Sequence, residues 1–328
     1  MRPRQSGVSL LELTVATALT LAVASSVFAI ARAGGRALAS GPDTADMQQR
    51  LRAAAITLTK DLAMAGAGLD AMPGVLPFRQ GAVNDDAAGT FRADTVTLVY
   101  VPVTVAQTTL RADVPPGSQT LPVAPQATCP AGVNLCGFAP GMTLLVYDET
   151  GNYGTFIAAA VFDGAAEIGI SSRPPDSAAT IYKAGSRVVE AQLHTYDVKT
   201  DAVTQIAQLI HYDGTANPAA PAVDHVVALR FDYAGEPPGP DGALTTLTAA
   251  QLADGPWRPD GANANRWDAD LLRIRTVLVT LRVESALAAL RGPAGVLFTH
   301  AGTSAGGAMW APDLEIRFQV TPRNLGMR

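Results

Sequence analysis

The sequence predicts an α+β protein: a long amino-terminal helix, membrane-spanning in its first half, packed on an antiparallel, β-rich globular domain. Three observations carry this reading. From Val8 to Ile30 the chain is apolar apart from Glu12. A second helical pattern follows, in which Met47, Leu51, Leu58 and Leu62 recur at helical spacing with Ala54 and Ala55 between them. Beyond Gly68 the chain breaks into segments of β-branched and aromatic residues with partial alternation, most of them bounded by turn residues.

The first helix follows from length and composition. At 1.5 Å per residue, Val8 to Ile30 makes about 35 Å of helix, enough for a bilayer core of about 30 Å. The preceding MRPRQSG carries Arg2 and Arg4 and no acid, as a cytoplasmic end does, while Arg32 and Arg36 after the run blur the charge asymmetry. A secretory signal peptide is the first alternative, with AVA at Ala22 to Ala24 as its cleavage site. Two features oppose it. The apolar run continues through SSVFAIA, and Glu12 would be an unexplained cost of about 2–3 kcal/mol at the bilayer centre.

Gly34, Gly35, Gly41 and Pro42 are expected to loosen or bend the chain after the span. Asp43 or Thr44 can cap the second helical stretch, AGAG at Ala65 to Gly68 supplies its stop, and Arg50, Arg52 and Lys60 are expected on its wet side. Strands are expected in DTVTLVYVPV, MTLLVYD, GTFIAAAVF, EIGISS, SRVVEAQLHTYDV, AVTQIAQLIHYD, HVVALRFDYAG, LLRIRTVLVTLRVES and LEIRFQVTPRN. GEPPGPDGA reads as a surface loop, and no internal repeat or second linker interrupts the domain.

Composition narrows the function classes. Hydrophobic residues make up 48% of the 328 positions, ample for a core, and charged residues only 16%, against roughly 25% in an average soluble domain. That balance suits a protein outside the cytoplasm. A net charge of −5 without a Lys/Arg run gives no general attraction to nucleic acid or anionic lipid. The only cysteines, Cys129 and Cys136 in TCPAGVNLCGF, flank Pro130 and Gly132. A small disulfide loop is expected in an oxidising compartment, and two inert thiols otherwise. A zinc site would need two further N or S ligands, and a CxxC redox motif tighter spacing.

Gly7 followed by VSLLE resembles the prepilin-peptidase site of type IV pilins and type II secretion pseudopilins. The resemblance implies cleavage between Gly7 and Val8, N-methylation of Val8, and Glu12 as the fifth mature residue, although the family most often has Phe where this chain has Val8. It also supplies a partner for Glu12, the α-amine that cleavage creates, because a carboxylate withdrawn from water is tolerated when it meets a positive charge. Further along, RLRAAAITLTKDLAMAGAG, ADTVTLVY, VDHVVALRFDYAG, RWDADLLRIRTVLVTLRVES and TPRN resemble segments of PilW-type minor pilins in the same order, with pseudopilin J as the close competitor. The amino-terminal match covers about a tenth of the chain and the later ones are scattered.

Chemistry-bearing motifs are sparse. GTSAG at Gly302 to Gly306 fits the nucleophile-elbow pattern around Ser304, but AGGAMWAPD is a poor helix and the last histidine, His300, precedes the serine. A flexible loop is the better reading. His194, His211, His225 and His300 show no metal-binding spacing, and His194 and His211 read as ordinary sheet residues. DGANANRWDAD raises calcium around Asp260, Asn263 and Asn265, without the sixth-position glycine and closing glutamate of an EF-hand loop. Trp257, Trp267 and Trp310 lie in or beside loops, where they can form a partner surface or close the edge of a core.

These readings converge on a structural protein and not an enzyme. The expected organisation is a leader at 1–7, a membrane segment at 8–30, an amphipathic continuation at 31–68 and a periplasmic β-rich domain at 69–328. The resemblance implies a minor pilin of a type IV pilus, a type II secretion pseudopilin as the alternative, and an exported serine hydrolase as a third reading. Its expected partners are prepilin peptidase, other minor and major pilins or pseudopilins, the inner-membrane assembly platform and the lipid bilayer, with no nucleic acid. The implied location is the bacterial inner membrane, single-pass, and then the filament.

Overall fold

The computed structural model describes residues 9–79, 90–172, 180–213, 220–236, 243–259, 265–291 and 310–322. An apolar amino-terminal helix followed by an antiparallel β-rich domain makes the fold α+β, in line with the sequence. The chain falls into two compact units, Met1–Gln49 with Ser285–Pro312, and Arg50–Glu284 with Asp313–Arg328.

Helix α1 runs from Leu10 to Met64 and continues through Pro42. The residue types explain its start. Ser9 precedes the first helical residue, its Oγ accepts from Leu11 N–H at 3.3 Å, and its own N–H donates to Glu12 Oε2 at 3.3 Å. Ser and Glu three apart give a variant of the capping box, in which the N-cap hydroxyl takes the N2 amide and the N3 carboxylate takes the N-cap amide. In the first unit, the segment after Glu284 is held by Arg291, whose Nε donates to Ser285 O at 2.7 Å and whose second guanidinium nitrogen donates to Ala286 O at 3.0 Å.

In the larger unit α1 presents Ala54, Leu58, Leu62 and the following Ala65 as its buried stripe. Arg52 and Lys60 are exposed as expected, whereas Arg50 is half-buried. The helix stops at AGAG because the next turn needs left-handed backbone, with φ +78° at Gly66 and +69° at Gly68. The chain end is then tied to the sheet by Gly66 N–H donating to Val99 O at 2.9 Å and Val101 N–H to Ala67 O at 2.7 Å. Gly74 packs so closely that a Cβ there would stand 2.0 Å from the Gly66 nitrogen.

The strands, in chain order, are β1 Val75–Leu76, β2 Val96–Tyr100, β3 Gln107–Thr109, β4 Thr120–Pro122, β5 Thr143–Tyr147, β6 Tyr153–Phe162, β7 Glu167–Ser172 and β8 Arg187–Glu190. They continue with β9 Gln192–Thr200, β10 Ala207–Tyr212, β11 Ala220–Asp224, β12 Val226–Gly235, β13 Thr245–Leu247, β14 Ile274–Val283 and β15 Leu314–Val320. Every named pairing is antiparallel, in three sheets ordered β1-β2-β9-β10-β11, β3-β8-β5-β6-β7-β4 and β13-β12-β14-β15.

Two features depart from a linear reading of the sequence. The run SRVVEAQLHTYDV, read as one strand, divides at Ala191 between β8 and β9, which belong to different sheets. The six-stranded sheet also curls until its ends meet. Leu110 bridges Val123, Ala124 N–H donates to Thr109 O at 2.8 Å, and Arg111 N–H donates to Pro122 O at 2.9 Å. Its core of Leu121, Leu144, Val146, Phe156, Ile168 and Val188 is its own. Joining the edges leaves fewer unpaired backbone groups to template aggregation. This module is built from chain between β2 and β9, which are themselves neighbours in the first sheet.

Candidate functional site

Two regions concentrate chemistry that a packed core does not require: the apolar half of α1, and a buried polar cluster where its far end meets the first sheet.

Leu10–Ala31 is long and apolar enough to cross a membrane, and none of it is buried against protein. Leu10, Leu19, Leu21, Phe28 and Ile30 all lie open. Lipid offers no hydrogen bonds, so polar groups in such a helix must be satisfied from within it. The hydroxyls comply: Thr14 donates to Leu11 O, Thr17 to Leu13 O, Thr20 to Ala16 O, Ser25 to Leu21 O and Ser26 to Ala22 O, at 2.7 to 2.9 Å. Glu12 is the exception. Its carboxylate can accept several bonds, and the contact described for it is the 3.3 Å bond from Ser9 N–H. Gly7 and Val8 lie outside the described residues.

The second region is assembled by strand register. Across β2 and β9, Leu98 stands opposite His194 and Tyr100 opposite Gln192; across β9 and β10, Tyr196 stands opposite His211. Directly opposed residues share a face, as do residues two apart on a strand. His194, Tyr196 and His211 therefore fall on one face together with Tyr100 and Gln192. Asp61 enters from α1, between the core positions Leu58 and Leu62, and is itself buried.

Tyr196 O–H donates to Asp61 Oδ2 at 2.5 Å. His194 Nδ1 lies 3.4 Å from that same oxygen and 2.7 Å from His211 Nε2. The imidazole planes of His194 and His211 meet at 7° with centroids 5.0 Å apart, which together with the short nitrogen contact describes rings meeting edge to edge through one N–H···N bond. On the other side, Tyr100 O–H donates to Gln192 Oε1 at 2.6 Å, and its oxygen is 3.1 Å from His194 Nε2. With that phenolic proton committed to Gln192, Tyr100 accepts from His194 Nε2–H. The Nδ1 lone pair of His194 then faces the cluster and accepts from His211 Nε2–H.

The electrostatics agree with neutral imidazoles. Burial pushes both histidines below their ordinary 6.5, against the opposing pull of Asp61. Burial and then the Asp61 hydrogen bond push the Tyr196 phenol far above its ordinary 10. Asp61, His194 and His211 place three ligand-type atoms within 4.8 Å of one another. Both histidines are sheet residues, as expected, and the pairing of β9 with β10 brings them together with Asp61. Spacing along the chain could not show the cluster, because it forms across strands and from the helix. The signals that could have found it were the LHTY and LIHY segments and an acid set among helix core positions.

The other sequence candidates are placed as follows. Cys129 and Cys136 form a disulfide, Cα atoms 5.5 Å apart, in the curled module. Trp267 is fully buried against Tyr147 and Tyr153, so it closes a core and presents no partner surface. Trp257 lies against Gly151, and Trp310 is half-buried. Of the calcium candidates only Asn265 is described, and its carbonyl accepts from Tyr153 N–H at 3.0 Å. Asp260, Asn263, His300, Ser304 and the closing Arg323 and Asn324 lie outside the described residues.

Searches against protein-family models and curated proteins find no match. Among solved structures the chain is similar to a type IV-like pilin from Thermus thermophilus, at 12% identity and a TM-score of 0.20, over 57% of this chain and 85% of that one. At that TM-score the functional reading rests on this chain's own residues.

Proposed function

We propose that this chain is a minor pilin of the PilW type, cut after Gly7 by prepilin peptidase, methylated at Val8, and held in the inner membrane by residues 8–30 before entering a type IV pilus. The single observation that carries the reading is Glu12. It is the one ionisable side chain in an otherwise apolar, unburied span, and it stands five residues after the predicted cleavage. Cleavage at Gly7 would place a cationic α-amine on Val8, directly before the Ser9 whose N–H already meets the Glu12 carboxylate. In a filament whose helices bundle away from water, that amine or a neighbouring subunit's offsets the charge of Glu12. The disulfide between Cys129 and Cys136 fits an oxidising periplasm. The role proposed is assembly and priming alongside other pilins, without catalysis.

Mass spectrometry of the mature protein tests this directly. The expected amino terminus is N-methyl-Val8, and any other terminus removes the basis for the proposal. Pseudopilin J of a type II secretion pseudopilus shares the same processing, so cellular localisation separates the two: loss of surface pili on deletion supports the pilus role, and loss of protein export with pili intact supports the pseudopilin.

A further inference from the structure

We propose that Asp61, His194 and His211 form a binding site for a divalent transition ion, Zn²⁺ first among them, where α1 meets the first sheet. The donor set is two imidazole nitrogens and one carboxylate oxygen, which suits Zn²⁺ and its neighbours and not Mg²⁺ or Ca²⁺. This inference is independent of the filament reading.

Geometry supports it first. Ligands about 2.0–2.1 Å from a tetrahedral Zn²⁺ stand about 3.3 Å apart, and Asp61 Oδ2 lies 3.4 Å from His194 Nδ1. The 2.7 Å between His194 Nδ1 and His211 Nε2 is the spacing of a shared proton. The ion replaces that hydrogen bond from a position off the line between the two nitrogens, and the rings part by about 0.6 Å and tilt so that both nitrogens turn toward it at those bond lengths. The displaced proton passes to His211 Nδ1, so His211 binds as a neutral imidazole and no net charge is lost.

The surrounding shell supports it second. A metal-ligating histidine usually donates its other ring N–H to a fixed acceptor. His194 has that arrangement: Nε2 lies 3.1 Å from Tyr100 Oη, which in turn is anchored by donating to Gln192 at 2.6 Å. A ligating carboxylate is usually hydrogen-bonded as well, and Tyr196 O–H holds Asp61 Oδ2 at 2.5 Å. The outer partners of two ligands are thus already in place around a lone pair and a carboxylate that converge. The side chains of Asp61 and His194 are 7% and 15% exposed, and His211 is half-buried, so the site is enclosed yet reachable.

The test uses the full chain, purified in detergent, stripped with a chelator and titrated with ZnCl₂ by calorimetry, then with Co²⁺ by visible absorption. The expected result is one Zn²⁺ per chain and tetrahedral Co²⁺ bands. His211→Gln, whose amide can still donate to His194, should weaken binding at least tenfold and abolish the bands. Tyr196→Phe keeps every ligand and should weaken binding about 10- to 100-fold through the outer shell. Circular dichroism of each variant confirms folding before titration. Absence of saturable uptake by the folded wild-type chain overturns the proposal. So does uptake that His194→Gln and His211→Gln leave unchanged.

Discussion

Substituting Glu12 by Gln and by Ala separates two reasons for an acid at the head of the apolar span. In the isolated chain Glu12 helps cap the helix by accepting from Ser9 N–H, while the Ser9 hydroxyl accepts from Leu11 N–H, both at 3.3 Å and exposed. Such a pairing contributes about 0.5–1 kcal/mol to a helix terminus. Glutamine fills the same third position of the box, so Glu12→Gln keeps the cap while Glu12→Ala loses it. In the proposed filament the carboxylate would face a cationic amine, and removing one partner of such a buried pair costs about 3–5 kcal/mol. At 1.4 kcal/mol per decade, that is a loss of about 100-fold or more in the incorporation equilibrium. Both variants should appear in the membrane fraction at wild-type levels, since removing the charge only favours insertion. Both should be missing from sheared filaments, Gln as severely as Ala. Wild-type filament content for Glu12→Gln, with loss only for Ala, would refute amine pairing and leave the cap as the role of Glu12.

Three further outcomes follow from packing and charge. Trp267→Ala removes a fully buried indole between Tyr147 and Tyr153; the expected loss is about 3–5 kcal/mol by urea denaturation, and a change under 1 kcal/mol would place the ring outside the core. Gly74→Ala sets a Cβ 2.0 Å from backbone nitrogen and 2.4 Å from the Cα of Gly66, so neither neighbour can yield by rotating a side chain; about 1–3 kcal/mol should be lost, and an unchanged midpoint would disprove that contact. Asp270, buried and hydrogen-bonded to Asp254 against the pull of Arg273, has its carboxyl raised to about 6 from 3.8. The folded chain therefore holds a proton there that the unfolded chain releases, and its stabilisation is full below pH about 4 and lost as pH rises through about 6. Relative to Asp270→Asn, the wild type should lose stability between pH 4 and 7 in thermal melts; parallel curves would show that Asp270 titrates normally.

The expected strands that fall in the described part of the chain have counterparts in the structure, because local alternation and turn residues report pleat and loop without reference to partners. What alternation cannot report is which sheet a strand joins. β8 and β9 read as one run because Ala191 is neither a turn former nor a break in apolar content, yet the chain changes sheets there. Short strands such as β3 and β4 leave almost no periodic signal, and their role in curling the six-stranded sheet depends on residues that meet only in space. The Asn, Asp and Gly around Trp267 left open whether it forms a partner surface or closes the edge of a core. Yet the Asp268 that follows caps a short 3-10 turn, accepting from Asp270 N–H at 2.9 Å, while the indole beside it is fully buried.

The two acids that α1 sets among apolar neighbours show how far a single anomaly can be read. Glu12 stood out because a membrane span tolerates few charges, and the cost of burying it pointed to a partner outside the span. Asp61 posed the same problem without standing out, since charged residues are common on amphipathic helices and Lys60 beside it is exposed. Its position decides the difference: with Leu58 and Leu62 on the buried stripe, an acid between them must be desolvated with its partners or destabilise the fold. The structure supplies the Tyr196 hydroxyl for Asp61 within the chain. For Glu12 it describes one long bond to Ser9 at the solvent-facing end of a bare helix. Among the described residues, then, the acid met within the chain is the one to test for metal, and the acid with a single long bond is the one to test for assembly.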